Sequence, residues 1–180
     1  MNNIIKLERF KCIVLSGIEI FKAMLAGKLP YASVGKTLDY SMVLAELGEV
    51  IFQGSPQVNF LNPMGTVHGG WYGTLLDSAM GCSVHTMVPA GRGFTTAEYS
   101  VNIVRGAKVG GLYRTIGKVV HCGKQMATAE GRIVDAERLQ HGRSSPRLVR
   151  AAQSEVDLAP GLPAAGAEHG GHIEPQVTTD

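Results

Sequence analysis

The sequence has little of several features that mark whole classes of protein. It holds only three cysteines in 180 residues, at Cys12, Cys82 and Cys122, which is too few and too scattered for a disulfide framework or a paired-thiol metal cage. No run approaches the ~18–20 consecutive apolar residues that cross a bilayer, and no signal-peptide cleavage pattern follows the apolar stretch near Ile13. We therefore expect a cytoplasmic protein with no membrane segment.

An excess of charge of one sign is also lacking. Seventeen Lys and Arg residues against 15 Asp and Glu residues give a formal net charge of +2, which is too mild for the concentrated basic face of a nucleic-acid-binding protein. The six histidines show no metal-ligand spacing, and the chain has neither a phosphate loop nor a dinucleotide fingerprint. We expect no nucleic-acid partner, no bound metal and no cofactor.

The composition indicates one folded domain with flanking segments. A hydrophobic fraction of 44% allows a real core, and 23 glycines indicate tight turns and close backbone contacts. We divide the chain into an N-terminal helical extension (1–30), a main domain (31–142) and a disordered tail (143–180). The tail is assigned because Pro146 interrupts the last apolar stretch, and Ala, Gly and Pro dominate from Ala151 on.

Hydrophobic periodicity predicts an α+β fold. Ser16 and Glu19 have the spacing of a capping box at the start of a helix, and apolar residues at helical spacing predict a long helix over residues 70–87. The predicted strands are Tyr40–Glu46, Glu49–Gly54, Thr95–Ile103, Leu112–Cys122 and Gln125–Asp135. A long helix between a hairpin and a three-strand meander indicates an antiparallel sheet with one helix against it.

One carboxylate stands out within the predicted long helix. Asp77 is the only formally charged residue between Glu49 and Arg92. A lone carboxylate on a mostly apolar helix is costly to bury unless it is hydrogen-bonded, and one kept there suits a general base or a nucleophile. The alternative is a structural carboxylate that faces water or caps a neighbouring backbone.

The start of the same helix offers a second chemical group. His68, Gly69 and Gly70 lead into the first turn, where free backbone amides favour developing negative charge and can stabilise an oxyanion. Asp77 lies eight residues beyond Gly69, which is ~12 Å along a straight helix and too far for both groups to act on one carbonyl. Two chains packed antiparallel along the glycine-rich stripe of this helix would bring the two groups together.

These residues form a motif that resembles a known family. It reads Asn62-x-x-Gly65-x-x-His68-Gly69-Gly70 followed by Asp77, with further similarity over Thr95–Glu98, Ser100–Val104 and Thr128–Asp135. It is similar to the motif of hotdog-fold acyl-CoA thioesterases of the phenylacetate-degradation (PaaI-type) group, and the resemblance covers roughly Ser16 to Asp135. It implies an antiparallel sheet wrapped around one long helix.

The resemblance also implies an activity and an assembly. The activity is hydrolysis of an acyl-CoA thioester, either an aryl- or phenylacetyl-CoA or a medium-chain acyl-CoA, to free acid and CoA. The active site would form between two chains of a homodimer, which commonly pairs into a homotetramer.

The resemblance assigns roles to individual residues. Asp77 would act as general base or nucleophile, and the amide of Gly69 would hold the oxyanion. Asn62 and His68 would position the thioester or the water, and Thr96 would hydrogen-bond near the carboxylate.

Other residues are candidates with an open alternative. Arg105 and Lys108, in the turn after the long strand, are candidate contacts for the phosphates of CoA, and ordinary surface charge is the alternative. Trp71, Tyr72 and Met80 are typical of an apolar or aromatic pocket, but they suit a core equally well.

Two other functions stay open at this point. One is a catalytically silent acyl-CoA-binding domain, and the other is a hotdog hydratase or dehydratase acting on acyl thioesters. The order of His68, Gly69 and Gly70 before Asp77 argues against the second. The family pattern also expects a closing strand after Asp135, whereas residues 143–150 are basic and contain a proline. Loss of that strand would expose a sheet edge.

Overall fold

The computed structural model describes residues 14–137 and 147–158. The elements in chain order are α1 (Gly17–Leu25), α2 (Ser33–Thr37), β1 (Tyr40–Glu46), β2 (Glu49–Gly54), a 3-10 turn (Val58–Phe60), α3 (Gly69–His85), β3 (Gly93–Ile103), β4 (Tyr113–Cys122), β5 (Met126–Asp135) and β6 (Arg147–Leu158). Within the described residues, no helix is both long and apolar enough to cross a lipid bilayer. The cytoplasmic location stays a prediction.

Local sequence signals define the first helix and the first hairpin. The carboxylate of Glu19 accepts hydrogen bonds from the Ser16 amide at 2.8 Å and from the Ser16 hydroxyl at 2.6 Å, so α1 begins at the predicted capping box. Strands β1 and β2 have the predicted bounds and pair antiparallel. The turn between them contains Gly48 at a φ of 77°, a backbone conformation that favours glycine.

The six strands form one antiparallel sheet in the order β1-β2-β4-β5-β6-β3. Helix α3 contacts all six strands, so the sheet wraps around it. The helix buries Leu75, Leu76, Ala79 and Met80 completely. The predicted α+β class, with one long helix held by an antiparallel sheet, is confirmed.

Two glycines allow α3 to lie very close to the sheet. Gly117 of β4 and Gly131 of β5 face each other as a cross-strand pair. A Cβ atom on Gly117 would lie 2.2 Å from the carbonyl oxygen of Ala79, and one on Gly131 would lie 2.9 Å from side-chain atoms of Leu76 and Met80. The helix backbone therefore rests directly on the sheet at Gly117, and Gly131 makes room for the side chains of Leu76 and Met80.

The C-terminal part of the sheet differs from the sequence-based expectation. Strand β6 lies between β3 and β5 and pairs antiparallel with both. Val149 of β6 faces Ile133 of β5, and both side chains are fully buried. The expectation that residues 143–180 form a disordered tail outside a domain ending at residue 142 is therefore wrong for Arg147–Leu158.

The error has a physical reason. The prediction weighed side-chain composition, and the alanines of this segment give no clear alternation of apolar and polar residues. The pairing depends instead on backbone N–H and C=O groups, which β3 and β5 present along their edges and which need partners. The described strand begins at Arg147, one residue after Pro146 in the sequence. The rest of the predicted tail (143–146 and 159–180) and the start of the N-terminal extension (1–13) lie outside the described residues.

The glycine pair under α3 leads to a stability prediction. Gly117→Ala is expected to destabilise the protein by about 3 kcal/mol, the upper part of the usual range for overpacking, because the new methyl group meets helix backbone rather than a flexible side chain. Urea unfolding followed by circular dichroism measures the change. Gly93→Ala is the matched control, since Gly93 is also a strand residue and its added Cβ would meet nothing within 4 Å. Equal free energies of unfolding for the two variants would contradict the close helix–sheet contact.

Candidate active site

Strand β3 runs beside α3 in the opposite direction. At one end, a Cβ atom on Gly69 would lie 3.7 Å from Cδ1 of Ile103, and one turn further a Cβ on Gly73 would lie 3.2 Å from the hydroxyl of Tyr99. The glycines on this side of α3 therefore make room for the side chains of β3. Tyr99 and Ile103 nevertheless remain 45% and 46% exposed, so this surface is covered only in part.

Asp77 lies at the other end of the same helix–strand contact. Its side chain is partly buried, and the Thr96 hydroxyl donates a hydrogen bond of 2.9 Å to its Oδ1 atom. This bond stabilises a carboxylate on a mostly apolar helix, as a buried polar group requires. It also holds the carboxylate toward the edge strand. The structure thus brings Asp77 and Thr96 together, and their catalytic roles stay a prediction.

Gly69 is the first residue of α3, directly after the N-cap residue His68. Its N–H has no carbonyl acceptor within the helix, because the first amides of every α-helix lack one. The positive end of the helix dipole lies here as well. The Gly70 amide is instead capped, since it donates a hydrogen bond of 2.9 Å to Nδ1 of the exposed His68 ring. Gly69 therefore presents the amide best suited to an anion at this helix end.

Asn62 organises the loop that leads into α3. Its Oδ1 atom accepts hydrogen bonds from the amides of Met64 at 3.0 Å and Thr66 at 3.2 Å, and its Nδ2 donates to the Thr66 hydroxyl at 2.9 Å. These bonds define the turn that carries the chain to His68. Contact of Asn62 with a thioester or a water stays a prediction, and the contacts seen here are with its own loop.

The candidate phosphate contacts lie in the loop that follows β3. The amides of Ala107 and Lys108 donate hydrogen bonds of 2.7 Å to the hydroxyls of Tyr72 and Tyr113. Burial raises the pKa of Tyr113 above its ordinary value, so its phenol stays protonated near neutral pH. These two backbone amides are engaged, whereas the side chains of Arg105 and Lys108 are exposed. Any anion held by this part of the loop would meet those side chains.

The structure shows where the three residues lie that suited either a pocket or a core. Trp71, Tyr72 and Met80 are almost fully buried and belong to the core. Sequence analysis missed a pair of hydroxyl groups beside the site, Tyr40 of β1 and Ser78 of α3, which are hydrogen-bonded at 2.9 Å. The two residues are 38 positions apart and meet only when β1 packs beside α3, so no local pattern could mark them.

The described residues contain no group of three or more His, Cys, Asp or Glu side chains arranged to hold a metal ion. The arrangement offers a positioned carboxylate and a helix N-terminus, both on the side of α3 that faces β3. Along a straight helix these two groups remain ~12 Å apart within one chain.

Comparison with known proteins finds one family model that matches part of the chain. Residues 64–140, which include His68, Gly69 and Asp77, match the family model of the thioesterase superfamily. No curated protein sequence is significantly similar to the chain.

Several solved structures share the fold. A phenylacetic acid degradation-related protein from Ralstonia eutropha JMP134 superposes with a TM-score of 0.66 at 22% identity, over 76% of this chain and 98% of that one. PaaI from the phenylacetic acid degradation operon of E. coli gives a TM-score of 0.66 at 16% identity, over 81% of this chain and 97% of that one. A Streptococcus mutans UA159 protein bound to acetyl CoA gives 0.58 at 22% identity, over 68% and 90%. Residues 64–140 are therefore similar to the thioesterase superfamily, and the chain has the hotdog fold that the sequence motif predicted.

Proposed function

We propose that this protein hydrolyses an acyl-CoA thioester to a free acid and CoA, with Asp77 as the general base or nucleophile and the Gly69 amide as the oxyanion donor. The observation that carries the proposal is the hydrogen bond between Thr96 and Asp77, which holds a carboxylate on the side of α3 that faces β3. The similarity in fold to a Streptococcus mutans protein that is bound to acetyl CoA supports CoA as part of the substrate.

Asp77 can start hydrolysis in two ways, and both use its ionised carboxylate. As a base it takes a proton from water, the hydroxide adds to the thioester carbonyl, and the C–S bond then breaks as the CoA thiolate leaves. As a nucleophile it adds to the carbonyl itself, forms a mixed anhydride as the CoA thiolate leaves, and water then hydrolyses the anhydride. The thiolate takes up a proton as CoA is released.

Both routes place a negative charge on the carbonyl oxygen in the transition state. The Gly69 amide lies at the N-terminus of α3, where it has no acceptor within the helix and where the helix dipole favours negative charge. A backbone amide held in a regular helix is preorganised, so it needs no rearrangement when the charge develops. This makes Gly69 the oxyanion donor of the proposal.

The separation of ~12 Å between the two groups along α3 requires a second chain. Strand β3 ends the sheet and pairs on one side with β6 in the described part of the chain. It carries half-exposed apolar side chains, among them Tyr99, Val101 and Ile103. A long edge strand with exposed apolar residues is typical of a surface that another strand covers.

A two-fold axis at this surface would bring the Gly69 amide of one chain close to the Asp77 carboxylate of another. Gly73 lies midway between Gly69 and Asp77 on α3 and contacts Tyr99. A two-fold axis through this point would place the Gly69 end of α3 in one copy against the Asp77 end of α3 in the other copy. Gly69 of one subunit would then face Asp77 of the other, and each homodimer would hold two sites. A homotetramer would add a second such pair.

The loop after β3 supplies the proposed contacts for CoA. Arg105 and Lys108 follow the end of β3 that lies at the start of α3, so they would lie on the Gly69 side of each shared site. Their backbone is held by Tyr72 and Tyr113, which leaves the two exposed cationic side chains to meet the phosphates.

The carboxylate assignment predicts a large loss of turnover. Asp77→Asn is expected to lower kcat by at least ~100-fold, because the amide cannot act as base or nucleophile. The variant should fold, since an asparagine carbonyl can still accept the bond from Thr96. Steady-state hydrolysis of a panel of acyl-CoAs, with free thiol as the readout, measures the effect.

Asp39→Asn is the matched control for this change. Asp39 is a hydrogen-bonded carboxylate outside α3, and its φ of 52° is one that asparagine tolerates. Its kcat is expected to equal that of the wild type. Unchanged turnover in folded Asp77→Asn would contradict the assignment and favour a binding domain without catalysis.

The oxyanion assignment predicts a specific effect of proline. Gly69→Pro removes one N–H group at the first helical position, where proline is well tolerated. His68 has the extended backbone that a following proline requires, with φ −62° and ψ 136°. We expect kcat to fall by ~100- to 1,000-fold with little change in melting temperature.

Gly69→Ala distinguishes the effect of losing the N–H group from the effect of filling the space at Gly69. Alanine keeps the N–H, and its Cβ would make only an ordinary contact of 3.7 Å with Ile103. It is expected to lose much less activity than Gly69→Pro. Equal losses in the two variants would mean that the space at Gly69 matters and that its N–H does not.

A further inference from the structure

The loop between β3 and β4 (104–112) contains no helix or strand, yet its backbone is tied to the core at two adjacent residues. The Ala107 amide donates a hydrogen bond of 2.7 Å to the Tyr72 hydroxyl, and the Lys108 amide donates one of 2.7 Å to the Tyr113 hydroxyl. The two phenols come from different elements, α3 and β4. Two neighbouring amides of one surface loop thus bind two hydroxyls of the core.

Both phenols are held rigidly. Tyr72 and Tyr113 are only 2% and 5% exposed, and the Trp71 ring contacts each of them edge to face, with centroid distances of 5.4 and 6.2 Å. The indole is fixed in turn, since its N–H donates a hydrogen bond of 3.1 Å to the carbonyl of Leu38. The two hydroxyls therefore have fixed positions, because a ring packed in the core cannot move without displacing its neighbours.

The bond to Tyr72 fixes the loop against the first turn of α3. Gly69, the proposed oxyanion donor, lies three residues before Tyr72 on this helix, and residues three apart are neighbours on a helix surface. The loop carries the exposed side chains of Arg105 and Lys108 and no acidic residue. The phenols therefore set where a cationic loop lies relative to the proposed site.

Building on the proposed function, we propose that Tyr72 and Tyr113 are positioning residues for CoA. Their hydroxyls hold the loop in the conformation in which Arg105 and Lys108 meet the phosphates, and neither phenol touches the ligand. The physical basis is preorganisation, since a loop that is already ordered loses less conformational entropy on binding than one that must first be ordered. The affinity for CoA then depends on two hydroxyl groups of the core.

Removal of one hydroxyl tests the inference with a very small change. In Tyr72→Phe or Tyr113→Phe the ring still fills the core, so both variants should fold, but one loop amide loses its acceptor and must be hydrated instead. The Kd of CoA, measured by calorimetry, is expected to rise about 10-fold in each variant. The kcat at saturating acyl-CoA should stay within about twofold of the wild-type value, because binding is weakened equally in the ground state and the transition state.

Tyr40→Phe is the matched control. It also removes a phenol hydroxyl with a hydrogen bond, of 2.9 Å, but the partner is Ser78 of α3 rather than the loop. Its Kd for CoA is expected to equal that of the wild type. Wild-type affinity in either Tyr72→Phe or Tyr113→Phe would overturn the inference, and so would an equal rise in Kd in Tyr40→Phe.

A double-mutant cycle distinguishes positioning from a general loss of structure. Lys108→Ala removes a cation that Tyr113 is proposed to position, and its Kd for CoA should also rise about 10-fold. If Tyr113 acts through Lys108, the double variant should bind no more than about 3-fold more weakly than the weaker single variant. Two independent effects would multiply to about 100-fold, and that result would overturn the positioning role.

Binding of CoA separates this inference from the proposed function, because it requires no turnover. A protein that shows the predicted changes in Kd but hydrolyses no acyl-CoA supports the positioning role and ends the proposed function alone. A wild type that hydrolyses acyl-CoA, with an unchanged Kd for CoA in either tyrosine variant of the loop, keeps the proposed function and ends the positioning role. Failure of the wild type to bind CoA at millimolar concentration would also end the positioning role.

Discussion

The architecture depends on the close packing of α3 on the glycine pair of the sheet, with helix backbone against Gly117 and helix side chains against Gly131. Gly117 and Gly131 let the helix lie so close that a methyl group at Gly117 would be 2.2 Å from the carbonyl oxygen of Ala79. Because the helix lies this deep, all six strands contact it. The strip of α3 that bears Gly69, Gly73 and Asp77 is then left against the last strand, β3. The position of the candidate site follows from this packing.

A regular helix also sets the main constraint on the chemistry. The proposed oxyanion donor, the Gly69 amide, and the Asp77 carboxylate belong to one rigid element, so their separation of ~12 Å cannot close by a local movement. The same rigidity is useful once a second chain supplies the missing group, because an amide and a carboxylate held on packed helices are preorganised. The half-exposed apolar side chains of β3 are the surface on which such a chain would pack.

Much of the fold could be predicted from local patterns. The capping box of Ser16 and Glu19 starts α1, and the β1–β2 hairpin has the predicted bounds. Asp77 was found because it is the one charged residue in a long uncharged stretch, and in the structure its carboxylate accepts a hydrogen bond from Thr96.

The parts that could not be predicted depend on long-range contacts. Strand β6 is stabilised by backbone pairing with β3 and β5, which composition does not reveal. The Tyr40–Ser78 hydrogen bond and the small apolar cavity beneath α1 exist only after α1 and β1 pack against α3. Asn62 shows that a motif position does not by itself reveal what a side chain contacts. The motif marks it as a site residue, and its contacts in the structure are with its own loop.

The most direct test of the shared site is complementation between two inactive chains. Asp77→Asn chains keep the Gly69 amide, and Gly69→Pro chains keep the carboxylate, so a mixed dimer would contain one complete site and one site lacking both groups. With random mixing of equal amounts, hydrolysis should return to roughly a quarter of the wild-type rate. Inactivity of the mixture, with mixed dimers demonstrated by native mass spectrometry, would contradict a site built from two chains.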